Sequence, residues 1–290
     1  MSRIDVYEMV TNRIVEELEN GNVPWEWCIP WHGVRSGAFN RISKKSYSLL
    51  NQMLLKHNND ELKEYATYNQ WQQLGGKVRK GEKAEFIVFW KMLSKEEINE
   101  NGEKIVKNIP ILKYYNVFHI SQVDGVEPLP QEKLQDIEPI VEVDKILNDY
   151  ISRENIKFEQ TASNEAYYSP NRDLIHLPLR EQFSDISLFY GVWVHESIHS
   201  TLHPNRCNRP QKLAHFGNEA YSKEELIAEI GSATLLNMLG IESKHSFRNS
   251  TAYIQSWLQV LRNDVKFIVS ASSQAEKAVK YILNESEVGE

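Results

Sequence analysis

Residues 184–204 read SDISLFYGVWVHESIHSTLHP and enclose His195-Glu196-Ser197-Ile198-His199, an H-E-x-x-H. On an α-helix, residues four apart stand one above the other on one face, so the two imidazoles can aim at a single point. Zinc favours four ligands drawn from nitrogen, sulfur and oxygen, and a catalytic site leaves one position to water. The pair therefore calls for a third protein ligand. Glu196 follows the first histidine and is placed to take a proton from water beside the ion. The surroundings predict a helix: Ser184 or Asp185 can cap it, Ile186, Phe189, Val192, Trp193 and Ile198 make an apolar stripe, and Pro204 stops it. Two surface histidines on an amphipathic helix are the bland reading. Against it, Val192, Trp193, Val194 and Ile198 predict a largely buried helix, and histidines and a glutamate in such surroundings need partners.

A second helix is expected over 222–239, SKEELIAEIGSATLLNML. Glu225 and Glu229 share one of its faces, so the first can bind metal while the second orients a histidine from behind. Ser222 followed by Glu225 is also a capping box, which needs no metal. Glu219 and Glu224 are further candidates. His203 rotates away from His199 and adjoins Pro204, and the extended H-E-x-x-H-x-x-G-x-x-H pattern fails at Leu202 and Asn205. A His195, His199, Glu225 set with Zn2+ or another divalent ion is favoured, with Glu196 as the catalytic base and Glu229 supporting it.

The 290 residues suit two domains. No apolar run approaches a membrane span and no signal-peptide core opens the chain, so a cytoplasmic protein without membrane contact is expected. Cys28 and Cys207 are too few and too far apart for a disulfide framework. Net charge is −7, but residues 1–125 hold 17 Lys and Arg against 16 Asp and Glu. The acidity lies in the second half, which leaves the first free to carry basic patches.

In that first half a helix is expected over 5–21, then Pro24-Trp25-Glu26-Trp27-Cys28-Ile29-Pro30-Trp31 as an extended or looped segment. Arg35, Arg41, Lys44 and Lys45 follow, then helices over 46–57 and 67–75, the latter with Trp71 and closed by Gly75-Gly76. Lys77 to Lys83 are basic. Strands over 84–90 and 112–118 should pair across a charged loop at 95–108 that contains Asn101-Gly102. Positive loops among aromatics suit single-stranded nucleic acid, which needs cations for phosphates and ring faces for bases. Equally, Trp25, Trp31 and Trp71 can be core residues. Residues 125–139 carry three prolines and four acids and read as a linker. Beyond it we expect a helix at 140–151, short strands at 156–158, 165–168 and 173–177, and closing helices at 249–270 and 274–284.

Four blocks, YSPNRDLIHLP at 168–178, HESIHSTLHP at 195–204, FGNEAYSKEELIAEIGSATL at 216–235 and YIQSWL at 253–258, resemble the metallopeptidase domain of ArdC-type antirestriction proteins of mobile genetic elements. Residues 6–31, the Asn51 helix, 66–91 and 114–123 resemble the single-stranded-DNA-binding domain of the same family, also found in some conjugative primases. The resemblance covers nearly the whole chain. It implies an α+β protein of two domains, 1–125 for single-stranded DNA and 140–290 as a zincin-like metallopeptidase, joined by 126–139. It implies metal ligands His195, His199 and Glu225, catalytic Glu196, and DNA contacts at Arg41, Lys44, Tyr47, Trp71, Lys77, Arg79, Lys80 and Lys83. The departure is Leu202, where the family usually has Gly. The implied biology is protection of incoming single-stranded DNA, by cleaving an unknown protein substrate or, alternatively, by coating DNA with the metal site structural or vestigial.

Overall fold

The computed structural model describes residues 5–27, 37–56, 62–98, 104–130, 139–183, 185–209, 219–241 and 251–285. Cys28, Trp31, Arg35, Asn101-Gly102 and Ser184 lie outside the described residues.

Helix α1 (Val6–Glu19) begins where the Asp5 carboxylate accepts the amide hydrogens of Tyr7 and Glu8, and ends before Gly21 at φ +79°. Pro24–Trp27 is a short 3-10 turn, not an extended segment, because a proline-fixed φ suits the first position of such a turn. Next come β1 (Phe39–Asn40), α2 (Leu49–Leu54), β2 (Glu64–Ala66) and α3 (Tyr68–Gln73), the last opened by a capping box between Thr67 and Gln70. Helix α2 is shorter than its expected span, since Ser46 bridges to Phe39 instead. Strand β3 (Lys77–Val78) precedes β4 (Glu85–Ile98) and β5 (Lys104–His119), and β6 (Val123–Asp124) returns to pair with β3. The segment expected as a charged loop is thus strand on both sides, in register from Glu85 opposite Val117 to Ile98 opposite Lys104. Backbone pairing does not need an apolar run, and solvated strands accept lysine and glutamate on both faces. The main sheet has the order β1-β2-β5-β4.

The second half opens with α4 (Pro139–Glu154) and a three-stranded sheet of β7 (Lys157–Thr161), β8 (Tyr167–Ser169) and β9 (Leu174–Pro178), ordered β7-β9-β8. Helices α5 (Ile186–Ser200), α6 (Glu219–Met238), α7 (Thr251–Asn263) and α8 (Phe267–Ile282) follow. Asp185 caps α5 through the Ser187 amide at 2.7 Å. Helix α6 starts before Ser222, whose hydroxyl meets that of Ser256 at 2.6 Å, so the capping-box reading fails. The break between α7 and α8 falls at Asp264, earlier than expected. There the Asp264 carboxylate accepts the Lys266 amide hydrogen, and Thr11 of α1 donates to the Val265 carbonyl at 2.7 Å.

Two large buried clusters organise these elements. One gathers Val143, Leu147, Ile175, Trp193, Val194, Leu235 and Val279 around α5. The other draws from both halves of the sequence: Val10, Ile14, Leu49 and Met53 pack with Leu226, Ile230, Leu261 and Ile268. At its centre Trp25 and Trp257 meet edge to face, with ring centroids 5.5 Å apart. Asn237 Nδ2 donates to the Trp25 carbonyl, and the Leu49 amide donates to Glu276. Full burial of each large apolar side chain stabilises the fold by about 1.5–3 kcal/mol. Trp257→Ala should therefore cost about 3–5 kcal/mol. In urea unfolding it should shift one transition reported by probes in both halves, whereas a shift confined to the second half would show the halves to be uncoupled.

Candidate metal centre

Helices α5 and α6 approach closely where Gly231 faces Ile198. A Cβ on Gly231 would stand 3.0 Å from Ile198 Cδ1 and 3.1 Å from Cγ2. Ile198 sits between the two histidines in sequence, so this approach sets how near the acids of α6 come to them. His195, His199 and Glu225 offer three ligand atoms within 4.8 Å of one another. His195 Nε2 lies 3.7 Å from Glu225 Oε2, and His199 Nε2 lies 3.3 Å from Glu225 Oε1. Both rings converge as the helical spacing predicts, with centroids 4.7 Å apart.

The other nitrogens of the two rings are each addressed by a different acid. His195 Nδ1 is 3.4 Å from Glu229 Oε2, and His199 Nδ1 is 3.2 Å from Glu224 Oε1. A carboxylate thus stands behind each ring, and the hydrogen bond between His199 Nδ1 and Glu224 favours the tautomer whose Nε2 is left for the common point. Glu224 is in turn held by Arg209, whose Nη2 donates to Oε1 at 2.6 Å and whose Nε donates to Oε2 at 3.1 Å. The same guanidinium donates to Thr201 Oγ1 and the Ile198 carbonyl at the end of α5. Arg209 is only 5% exposed, so its charge is balanced inside the protein by Glu224.

The electrostatics favour a cation. Burial disfavours a charged His199 ring, yet the adjoining Glu224 and Glu225 carboxylates outweigh it and push its pKa up to about 10. Burial likewise works against a charged Glu225, but the two flanking imidazoles hold its carboxyl far below the usual range. His199 Nε2 is buried and makes no hydrogen bond among the described residues. Two imidazoles and a carboxylate, with one buried nitrogen lacking a hydrogen bond, fit a divalent ion in a tetrahedral site. Glu196 is also buried, at 2% exposure, on the turn of α5 between the histidines.

By sequence Glu224 reads only as a possible ligand, and Arg209 has no motif to reveal it. His176 and Tyr168 from the neighbouring sheet are engaged elsewhere: His176 bonds Thr161 and the Glu165 carbonyl, and Tyr168 donates to Asp173. Asp173 also pairs with the buried Arg206, which donates to the Ser200 carbonyl and so ties the β8–β9 turn to the end of α5.

The residues expected to touch DNA divide in two. Trp71 is fully buried and donates its indole hydrogen to the Phe118 carbonyl at 2.9 Å, and Tyr47 is 3% exposed. Neither ring is available to stack on a base. Arg41 is spent on Glu64 and the Glu127 carbonyl. Lys77, Arg79, Lys80 and Lys83 do lie together on β3 and the turn after it, with Arg79 paired to Glu82 and Asp124 and the lysines exposed. Lys44 is exposed at φ +60° on the turn after β1.

Replacing Glu224 with Ala should weaken divalent-ion affinity about 10- to 100-fold, because it frees the His199 ring. Chelator competition measures this, and unchanged affinity would show that Glu224 does not orient the ring.

Both halves of the chain match known families. Residues 4–118 match the family described as the N-terminal domain of anti-restriction factor ArdC, and residues 145–274 match a zincin-like metallopeptidase family. Two Escherichia coli proteins named DNA primase TraC are 32% and 31% identical over 96% of this chain, which spans only 27% and 20% of their lengths. An uncharacterized Sinorhizobium fredii protein, y4eC, is 30% identical, with 96% of this chain and 91% of the relative covered. Crystal structures of the antirestriction ArdC protein from the R388 plasmid superpose with TM-scores of 0.75, metal-free, and 0.76, Mn(II)-bound, at 31% and 29% identity. They cover 97% and 99% of this chain and 98% and 100% of their own. The chain belongs to the ArdC-type antirestriction family, an N-terminal ArdC domain followed by a zincin-like domain.

Proposed function

We propose that this chain binds single-stranded DNA in the cytoplasm on behalf of a mobile element and hydrolyses peptide bonds at the site between α5 and α6. The observation that carries the enzymatic reading is the convergence of His195, His199 and Glu225 within 4.8 Å, backed by a carboxylate behind each ring. His195 and His199 would hold the ion through Nε2 and Glu225 through its carboxylate. Zinc is our choice from the donor set, and the Mn(II)-bound R388 relative supports a divalent ion in general. When bound, such an ion polarises a carbonyl and lowers the pKa of water. Glu196 accepts a proton on its carboxylate and returns it to the departing amine. Glu224 and Glu229 keep the two Nδ1 protons in place, and Arg209 keeps Glu224 charged.

A second reading is a DNA-coating protein whose ion is structural. It is favoured by the burial of all three ligand side chains, at 4–7% exposure, which leaves little open surface for a substrate. Glu196→Gln separates the two, because it removes the base and leaves the ligands. We expect the variant to keep its ion and its affinity for single strands while protection of incoming DNA falls to the level seen without the protein. Full protection by the variant in a transfer assay would establish the coating role instead.

A further inference from the structure

The β4–β5 hairpin reaches well beyond the sheet that anchors it, and its register sorts its side chains onto two unlike faces. Directly opposed residues share a face and alternate along each strand. Phe89 opposes Lys113, Lys91 opposes Ile111, Leu93 opposes Ile109 and Lys95 opposes Lys107. From Ile87 to Lys95 and from Lys107 to Tyr115 this face carries four lysines and no carboxylate. The reverse face over the same span carries Trp90, Met92, Ser94, Asn108, Pro110 and Leu112, and no charge. Ring packing agrees with the sorting: Phe89 meets Tyr47 and Tyr115 on the lysine face, while Trp90 meets Tyr7 on the other.

We infer that the lysine face of this hairpin is the surface that holds a single strand of nucleic acid, an inference that rests on the proposed binding function. Phe89 and Tyr115 are 47% and 42% exposed and form an edge-to-face pair, with the buried Tyr47 ring as the floor beneath Phe89. They offer ring surface where Trp71 and Tyr47 cannot. Lys113 stands opposite Phe89, and Lys91, Lys95 and Lys107 continue from it, all four exposed, along a strand length of roughly 20 Å at ~3.4 Å per residue. Aromatic platforms continued by a one-signed cationic track match unpaired bases followed by phosphates. A duplex would hide the base faces that the rings need. A protein partner on an apolar strip would not call for four cations sorted to one side.

The test uses the full chain and a labelled oligothymidylate, read by fluorescence anisotropy across a salt series. The combined variant Lys91→Ala, Lys95→Ala, Lys107→Ala, Lys113→Ala should weaken binding more than about tenfold. It should also flatten the salt dependence by about 0.7 in log–log slope for each phosphate left without its lysine. Phe89→Ala and Tyr115→Ala should each weaken binding from about fivefold to about a hundredfold. Wild-type affinity and slope in these variants would overturn the assignment while leaving the binding reading intact. A larger loss on replacing Lys77, Lys80 and Lys83 would do the same and place the strand on the β3 turn. An arm that instead docks a second copy would show in sedimentation, with oligothymidylate binding unaltered by the lysine changes, and would also overturn it. Failure of the wild type itself to bind would remove the binding function on which the inference rests.

Discussion

The structure depends on one close approach, between Ile198 of α5 and Gly231 of α6. Histidine and glutamate side chains inside an apolar core are costly unless each polar atom finds a partner. The two helices meet so that three glutamates of α6 come within 3.2–3.7 Å of the ring nitrogens, Glu225 between the rings and Glu224 and Glu229 behind them, while His199 Nε2 is left without a hydrogen bond among the described residues. Any side chain at position 231 would press on Ile198, which would have to give by a few tenths of an ångström. The rest of the second half serves this approach. Trp193 and Val194 bury the turn of α5 just before His195, and Arg206 and Arg209 donate to carbonyls at its C-terminal end.

That arrangement concentrates negative charge at a dry point, and the consequence is a site suited to holding a positive one. Three carboxylates from α6 face two rings, and Arg209 offsets one of them, Glu224. The polarity of the site is thus tied to the fold, because the packing of α6 against α5 brings Glu225 and Glu229 to the histidines. The first half contributes differently. Its helices α1 and α2 and the Trp25 turn complete a core that α6, α7 and α8 begin, so α6 has the metal site on one side and the shared cluster on the other.

Much of the site is legible in the sequence because its chemistry is local. The i, i+4 histidines and the i, i+4 glutamates each follow from helical geometry, and both pairs lie where periodicity places them. Glu224 and Arg209 are not legible: the first looks like one more acid in a charged helix start, and the second belongs to a segment without motif. Their meeting depends on tertiary packing. The hairpin arm escapes a sequence reading for another reason. Residues 91–98 and 104–108 are polar on a sequence scale, yet polarity there reflects solvent on both faces of a paired ladder. Trp71 and Tyr47 show the reverse error, since aromatic residues beside lysines suggest base stacking and the packing consumes their rings.

Anomalous scattering from a crystal grown with zinc addresses the central claim most directly. A single strong peak within about 2.0–2.2 Å of His195 Nε2, His199 Nε2 and a Glu225 oxygen is the predicted result. A peak elsewhere, or imidazoles engaged through Nδ1 with Glu224 and Glu229 displaced, would contradict it.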